Sequence, residues 1–463
     1  MLRNRHLLGT GLLSLLWVIV PTGSAQVVSG PLTIEQAVST ALQKYPAVRV
    51  SEADVRGAAA AIQLARTAYL PRLQAVAGIN RATRNNVLGL LLPSQVLAPI
   101  SGPVLGTNGL GNAWGSTVGV LVNWEPFDFG LRQANIAVAQ AGRARAEAAV
   151  GRTRHEVATL VADNVLTVLA AEQTVTAAQA ALERAGELQR ITGALVNAEL
   201  RPGAELSLAR AEQAAAQAQL SRARQAVAEA KAALAALLGI DAASLRLSTG
   251  KLLTLPEPPP PAGTLSQNPL AREAQAAIFE AEARLRAIDR SYFPSFSLQG
   301  TSYARGTGAL PDGRLLGGVN GLGPNIQNWA AGFTVSFPVF EFAAISARRS
   351  AERARLDAER GRREQVLVDL TARRDQALAA YEGALQVAQT TPLVTEAARA
   401  AVQQATARYK SGLGTALEVA DAQRRLSQAE IDDSLARLAI WRARLAVFAA
   451  QGDITPLLAE ASR

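Results

Sequence analysis

The chain states one structural plan twice, and that duplication constrains its fold more than any other feature. Tyr69-Leu70-Pro71 follows an alanine-rich helical stretch, and Tyr292-Phe293-Pro294 follows another, 223 residues later. Pro126-Phe127-Asp128-Phe129-Gly130 is echoed by Val339-Phe340-Glu341-Phe342-Ala343 at an offset of 213. The segment 203–209 returns at 414–420, offset 211. Three landmarks in the same order, with a slowly drifting offset, mean a duplicated unit. Each unit reads helix, aromatic glycine-rich segment, very long helix, tight turn, helix.

From Leu131 to about Glu199 there is no proline, and strong helix formers dominate. The pattern predicts a helix over 130–199, a rod on the order of 100 Å at 1.5 Å per residue. A rod of that length needs partners along it. Segments 33–69 and 204–238 are about half as long and would lie end to end beside it. The second unit predicts a rod over 344–410 with companions at 269–291 and 415–450, and Pro392 is expected to kink or break that rod.

Residues 69–129 and 292–342 hold 14 of the chain's 21 aromatic side chains. Leu73, Ala75, Ala77 and Ile79 alternate with polar or small residues, as do Val118, Val120, Val122 and Trp124. Phe296 and Leu298, then Phe333, Val335 and Phe337, repeat the alternation. Period two predicts strands with one apolar face, at about 72–83, 114–125, 294–305 and 329–339. Loops around 84–113 and 306–328 join each pair, and most of the drift in the repeat offset falls there. Such strands suit a membrane β-barrel, but four cannot close one, since small barrels need about eight. An open sheet in lipid would leave unpaired edges. If these strands cross a membrane, several chains must therefore share one barrel.

Composition narrows the chemistry. Residues 1–25 read as a signal peptide, with Arg3 and Arg5, an apolar Leu7–Val20 core and small residues at Gly23-Ser24-Ala25. Cysteine is absent, which removes disulfides, thiolate chemistry and an N-terminal lipid anchor through cysteine. With His6 and His155 as the only histidines and Met1 as the only methionine, no metal or other cofactor is expected. The net charge of +9 comes almost wholly from arginine, spread along helices beside Glu and Asp, as at Arg143, Arg145 and Glu147. That spacing is a solvated helix face, and nucleic acid is not an expected partner. No nucleophile elbow, phosphate loop or zinc motif occurs, so an enzyme is not expected. Residues 246–267, with Pro256 and Pro258–Pro261, read as a stiff connector on the outside of the waist. The units are then 26–245 and 268–463.

In the order and spacing of its motifs the chain resembles the TolC family of outer-membrane efflux and secretion channels, over residues 31 to about 452. Leu32-Thr33-Ile34-Glu35-Gln36-Ala37, Ala41-Leu42 and Tyr45-Pro46 resemble the family's N-terminal signature, and Asn268-Pro269 stands where the second unit restates it. Tyr69-Leu70-Pro71, Phe293-Pro294 and Phe127-Asp128-Phe129-Gly130 resemble the helix–strand junctions. The run from Tyr409 to Gly414, then Leu417-Glu418-Val419 and Asp421-Ala422-Gln423, resembles the second periplasmic turn. Ala343 departs from the glycine expected after the second Phe-acid-Phe, and Pro202 sits in the first tip where the second has Gly-Leu-Gly. The resemblance implies a mainly α-helical chain with a membrane part: a homotrimer whose twelve-stranded barrel in the outer membrane of a Gram-negative bacterium sits on a helical periplasmic tunnel. It implies a passive duct fed by a periplasmic adaptor and an inner-membrane pump of the resistance-nodulation-division or ABC class. An outlet for type I protein secretion has the same fold. A structural periplasmic coiled coil explains the helices, but not the aromatic strand pairs.

Three sets of residues follow as candidates. Leu200, Arg201, Pro202 and Gly203 in the first turn, with Lys410, Ser411, Gly412, Leu413 and Gly414 in the second, would dock the adaptor. Gly203, Gly412 and Gly414 permit positive φ and close backbone approach. Arg201, Glu205, Lys410, Glu418 and Asp421 would form ionic links that narrow the periplasmic entrance. Trp124, Phe127, Phe129, Phe337, Phe340 and Phe342 would sit at the membrane interface.

Overall fold

A computed structural model describes residues 30–83, 111–256, 264–310 and 314–462. The expected signal peptide, most of the first hairpin loop and Pro258–Pro261 lie outside the described residues.

The first unit runs α1 (Ile34–Lys44), α2 (Pro46–Arg66), β1 (Arg72–Thr83), β2 (Asn112–Phe127), α3 (Leu131–Asn197) and α4 (Gly203–Leu238). The second runs α5 (Pro269–Arg290), β3 (Ser295–Thr307), β4 (Ile326–Ser336), α6 (Phe342–Lys410) and α7 (Ala416–Gln451), followed by a short α8 (Thr455–Ala461). Local signals explain the starts. Thr33 and Gln36 close a reciprocal capping box on α1. Pro46 and Pro269 occupy the first helical positions of α2 and α5, where a missing N–H is harmless. Asn268, fully buried, accepts from the Leu270 amide at 2.9 Å and donates to the Ala450 carbonyl at 2.9 Å. One side chain thus caps α5 and ties it to the end of α7.

The junction into α3 is built by the Phe-Asp-Phe-Gly motif. Phe129 and Gly130 take φ of 51° and 88°, turning the chain sharply. Asp128 accepts from the amides of Gly130 (3.1 Å) and Arg132 (2.7 Å) and from Arg132 Nε (2.9 Å), satisfying orphan donors of the first turn. Arg132 in turn lies 4.6 Å from the Tyr69 ring centroid, so the two ends of the first hairpin meet on one buried ion pair. The second junction differs. Residues 339–341 form a single 3-10 turn, and Ala343 is simply helical within α6. No left-handed residue is needed there, which accounts for the missing glycine. Pro338 lies just beyond Ser336, where β4 ends short of the expected residue 339, since proline cannot donate to the ladder.

The four strands form one antiparallel meander in the order β1-β2-β3-β4. The β2–β3 ladder, from Gly115↔Thr307 to Phe127↔Phe296, joins the two units into a single sheet. Its register shifts between Trp124 and Phe127, an irregularity that returns Phe127 to the face carrying Phe296 and Val335. One face therefore holds Leu73, Val120, Val122, Trp124, Leu298, Trp329 and Phe333. Trp329 is 81% exposed and Leu73 68%. The other holds Gln74, Asn80, Thr117, Asn123, Gln299, Tyr303 and Arg305. The outer edges of β1 and β4 pair with nothing among the described residues.

The main core sits at the waist, far from the sheet. Ile34, Ala37 and Val48 pack against Val161, Val165 and Leu169 of α3, Leu234 and Leu238 of α4, Trp441 and Leu445 of α7, and Leu457 of α8. By length and composition alone α3 could cross a membrane, but its apolar residues at 161–169 are these core side chains. The connector begins inside the waist, while the proline run Pro258–Pro261, expected outside it, lies outside the described residues. Leu245 and Leu252 are buried in this core, and Trp441 Nε1 donates to the Thr254 carbonyl at 2.9 Å.

The expected break at Pro392 does not occur. α6 is continuous from Phe342 to Lys410. Proline removes one backbone donor, but α7 holds the rod on both sides of it. Thr391 Oγ1 donates to Asp433 at 2.8 Å, and Thr395 Oγ1 to the Ala429 carbonyl at 3.1 Å. Tyr381 and Ala388 pack on Ala436 and Ile440 just above.

Candidate functional site

Two turns, 198–202 and 411–415, come together at the end of the helical hairpins opposite the sheet. Small apolar side chains bring the four helices close: Leu188, Ala209, Ala416, Val419 and Ala420 surround Tyr409, which is 1% exposed. The Tyr409 hydroxyl donates to Glu205 Oε2 at 3.0 Å and lies 3.1 Å from Thr192 Oγ1. Burial pushes that hydroxyl above the ordinary tyrosine range, and the Glu205 carboxylate acts the same way.

Arg201 spans the two turns. Its guanidinium donates to the Gly414 carbonyl at 2.9 Å and the Tyr409 carbonyl at 3.4 Å, and lies 5.0 Å from the Tyr409 ring centroid. It also approaches Glu205 to 3.7 Å, with both side chains largely buried. Of the proposed gate set, then, Arg201 and Glu205 meet around Tyr409. Glu418 instead faces Arg408 at 3.9 Å, and its amide donates at 3.3 Å to Thr415 Oγ1, which caps α7. Asp421 pairs with Arg425 at 3.0 Å and lies 3.8 Å from Arg424. Lys410 is exposed and forms no ion pair among the described residues.

The backbone at the turns departs from the glycine expectation. Positive φ occurs at Glu199 (60°) and Gly412 (83°), not at Gly203 or Gly414. Gly203 is the first residue of α4, with open space where a Cβ would stand. Gly414 is needed for closeness instead: a Cβ there would lie 3.3 Å from Arg408 Cβ, Glu418 Oε2 and Tyr409 N. Leu200, Leu413 and Leu417 are 70%, 74% and 55% exposed, so an apolar rim surrounds this polar clasp. The cross-turn clasp of Tyr409 was not legible in the sequence, because its partners Thr192 and Glu205 lie more than 200 positions away.

The interface aromatics gather where sheet meets helices. Phe127 lies 4.7 Å from Phe129, Phe129 stacks on Phe293 at 5.4 Å, and both Phe127 and Phe129 reach Phe296 at 5.9 Å. Phe342 stacks on Tyr292 and meets Phe337 edge-on. Trp124 Nε1 donates to the Tyr69 carbonyl at 3.0 Å, and Phe340 is 98% exposed. Among the described residues no cluster of His, Asp or Glu could hold a metal ion.

The sequence model of the family described as "Outer membrane efflux protein" matches residues 37–240 and 261–453, one match per unit. Among curated proteins, none matches this sequence. Solved structures with the same fold include the outer-membrane channel OprN, at 23% identity over 90% of this chain and 89% of that one, TM-score 0.71. CusC, a transmembrane channel, matches at 19% identity over 91% and 92%, TM-score 0.74. The CmeC outer membrane channel of Campylobacter jejuni matches at 18% identity over 93% and 89%, TM-score 0.73.

Proposed function

This chain belongs to the outer membrane efflux protein family, and from that premise we propose that three copies form one passive exit duct across the outer membrane and periplasm. One observation carries the reading: a four-stranded sheet with an exposed apolar face, a polar opposite face and two edges that pair with nothing among the described residues. Lipid tolerates no unpaired strand edge, so β1 of one copy would pair with β4 of the next and three sheets would close a twelve-stranded barrel. The helices carry matching free flanks. Between waist and sheet α2 exposes Val50 and Leu64, while α6 exposes Val368 and, further down beside α7, Val387 and Leu393. Joining those flanks would continue the barrel as a tunnel.

The tip would be the handover point. The exposed Leu200, Leu413 and Leu417 support docking of a periplasmic adaptor, with the Arg201–Tyr409–Glu205 clasp keeping the two turns in register. Glu418 and Asp421, half-exposed on α7 and facing Arg408 and Arg425, would contribute ionic links at the entrance. An inner-membrane pump would supply the energy, and small molecules would be the cargo.

The test is direct. The mature chain should require detergent, run as a trimer and conduct ions in planar bilayers, and its loss should sensitise cells to pump substrates. A water-soluble monomer would end the duct reading. A deletion that abolishes export of one protein while leaving drug sensitivity unchanged would instead assign the duct to protein secretion.

A further inference from the structure

Directly beneath the sheet, between α3 and α5, lies an open groove of about 650 Å³. Its walls combine two chemistries seldom adjacent on a solvated helix face. One wall is aromatic: Phe127, Phe129 and Phe293, the cluster that extends the apolar sheet face past its last paired row, Phe127↔Phe296↔Val335. The other wall is cationic: Arg286 and Arg290, one helical turn apart on α5 and both exposed. Gln133 of α3 adds an amide.

These two arginines differ from the others along their helix. Arg284 is paired with Glu280, and Arg272 donates to Gln267. Asp289, the carboxylate lining the groove beside them, is held by Arg349 at 2.5 Å. Neither Arg286 nor Arg290 forms an ion pair among the described residues, and the Arg290 guanidinium rests 6.0 Å from the Phe293 ring centroid. Two guanidiniums without a counterion, beside an aromatic floor, fit an anion that carries an apolar body. Guanidinium binds phosphate through paired N–H groups, and aromatic rings settle at the headgroup level of a bilayer.

We propose that this groove binds the phosphate of an anionic glycerophospholipid in the periplasm-facing leaflet of the outer membrane. The phosphate would lie against Arg286 and Arg290, the glycerol over Phe129 and Phe293, and the acyl chains along the apolar sheet face. The proposal rests on the outer-membrane placement above and adds to it a defined lipid contact that fixes the depth of the barrel. Three copies would give three such sites.

Native mass spectrometry of the full-length channel, purified as a trimer in neutral detergent, tests it. Phosphatidylglycerol and phosphatidylcholine are titrated separately and bound lipids counted. Phosphatidylglycerol should bind more tightly, and Arg286→Gln with Arg290→Gln should remove that preference, on the order of fivefold per charge. Arg286→Lys with Arg290→Lys should keep most of it, and Arg143→Gln, outside the groove, should keep all of it. Equal binding of the two lipids to the wild-type trimer would overturn the proposal, as would an undiminished preference in the double glutamine variant. Competition by free glycerol phosphate as strong as by the lipid would overturn the lipid as ligand. A chain that needs no detergent would fail at purification, which is the failure of the duct reading and not of this site.

Discussion

Arg201 of the first turn donates to the carbonyl oxygen of Gly414 in the second at 2.9 Å, and this contact helps make the two turns at the hairpin ends one unit. The turns come from different copies of the repeat and carry different local solutions, Glu199 in the left-handed region in one and Gly412 in the other. What joins them is a pair of side chains crossing between hairpins, Arg201 from the first and Tyr409 from the second.

Removing the arginine side chain should loosen the tip without unfolding the rods. Arg201→Ala loses two backbone hydrogen bonds, a cation–π contact and its partner for Glu205, together about 1–3 kcal/mol of local stability. Hydrogen exchange at 198–202 and 411–415 should accelerate while the waist stays protected. Unchanged exchange at both turns would show that the clasp holds nothing.

Tyr409 gives the tip a pH dependence with a defined sign. Its proton affinity is raised in the folded state, so its contribution is intact below the unfolded value of about 10 and is lost as pH climbs through the higher folded value. Tip protection should therefore fall above about pH 10, and Tyr409→Phe should flatten that fall while lowering neutral-pH stability by about 1 kcal/mol. A wild-type profile identical to that of Tyr409→Phe would reject the assignment.

His155 acts at the waist and in the opposite direction. Burial lowers its proton affinity, against an opposing contribution from its 2.9 Å contact with the Ala449 carbonyl. Neutral imidazole is thus the form the fold prefers, and stability present above about pH 6.5 is lost as pH falls through the depressed folded value. Thermal denaturation between pH 7 and pH 5 should show this loss, and His155→Gln should remove it.

The glycines of the turns should separate into two behaviours. Gly412→Val forces a branched side chain into positive φ and should lower tip stability by about 1–3 kcal/mol. Gly203→Val meets open space in a helical position and should leave trimers in the membrane. Lost resistance in Gly203→Val with trimers intact marks that turn as a docking surface; retained resistance confines the docking surface to the other turn.

The two faces of the sheet should respond oppositely to charge. Trp329→Arg on the exposed apolar face should cost about 2–4 kcal/mol near the bilayer midplane and deplete trimers from the outer membrane. Gln299→Arg on the polar face should leave trimers and change single-channel conductance. Trimers depleted equally by both would refute the division of faces.

Motif order and period made the helices, the strand pairs and the need for several copies legible, because those properties are local or repeat along the chain. Asp128, Asn268 and Thr415 cap their helices within four residues, a local role, while the second bond of Asn268, to the Ala450 carbonyl, spans 182 positions. Gly203 needs no positive φ because it is already the first residue of α4 after Pro202, and the rod runs through Pro392 because α7 is bonded to it on both sides. Thr391 and Thr395 tie α6 to α7 on either side of Pro392 through contacts some 40 residues away, and the helix runs on unbroken.

The amino-acid order by itself determined the duplicated plan, the rods, the alternating faces and the absence of thiol chemistry. Tertiary structure alone decided that β2 pairs with β3, that Leu245 and Leu252 enter the waist, that Arg201 and Tyr409 lock two distant turns, and that Arg286 and Arg290 line an aromatic groove without an ion pair among the described residues. The physical reason is range. Helix and strand preferences act over a few residues, whereas a contact between side chains hundreds of positions apart exists only once the chain has folded back on itself.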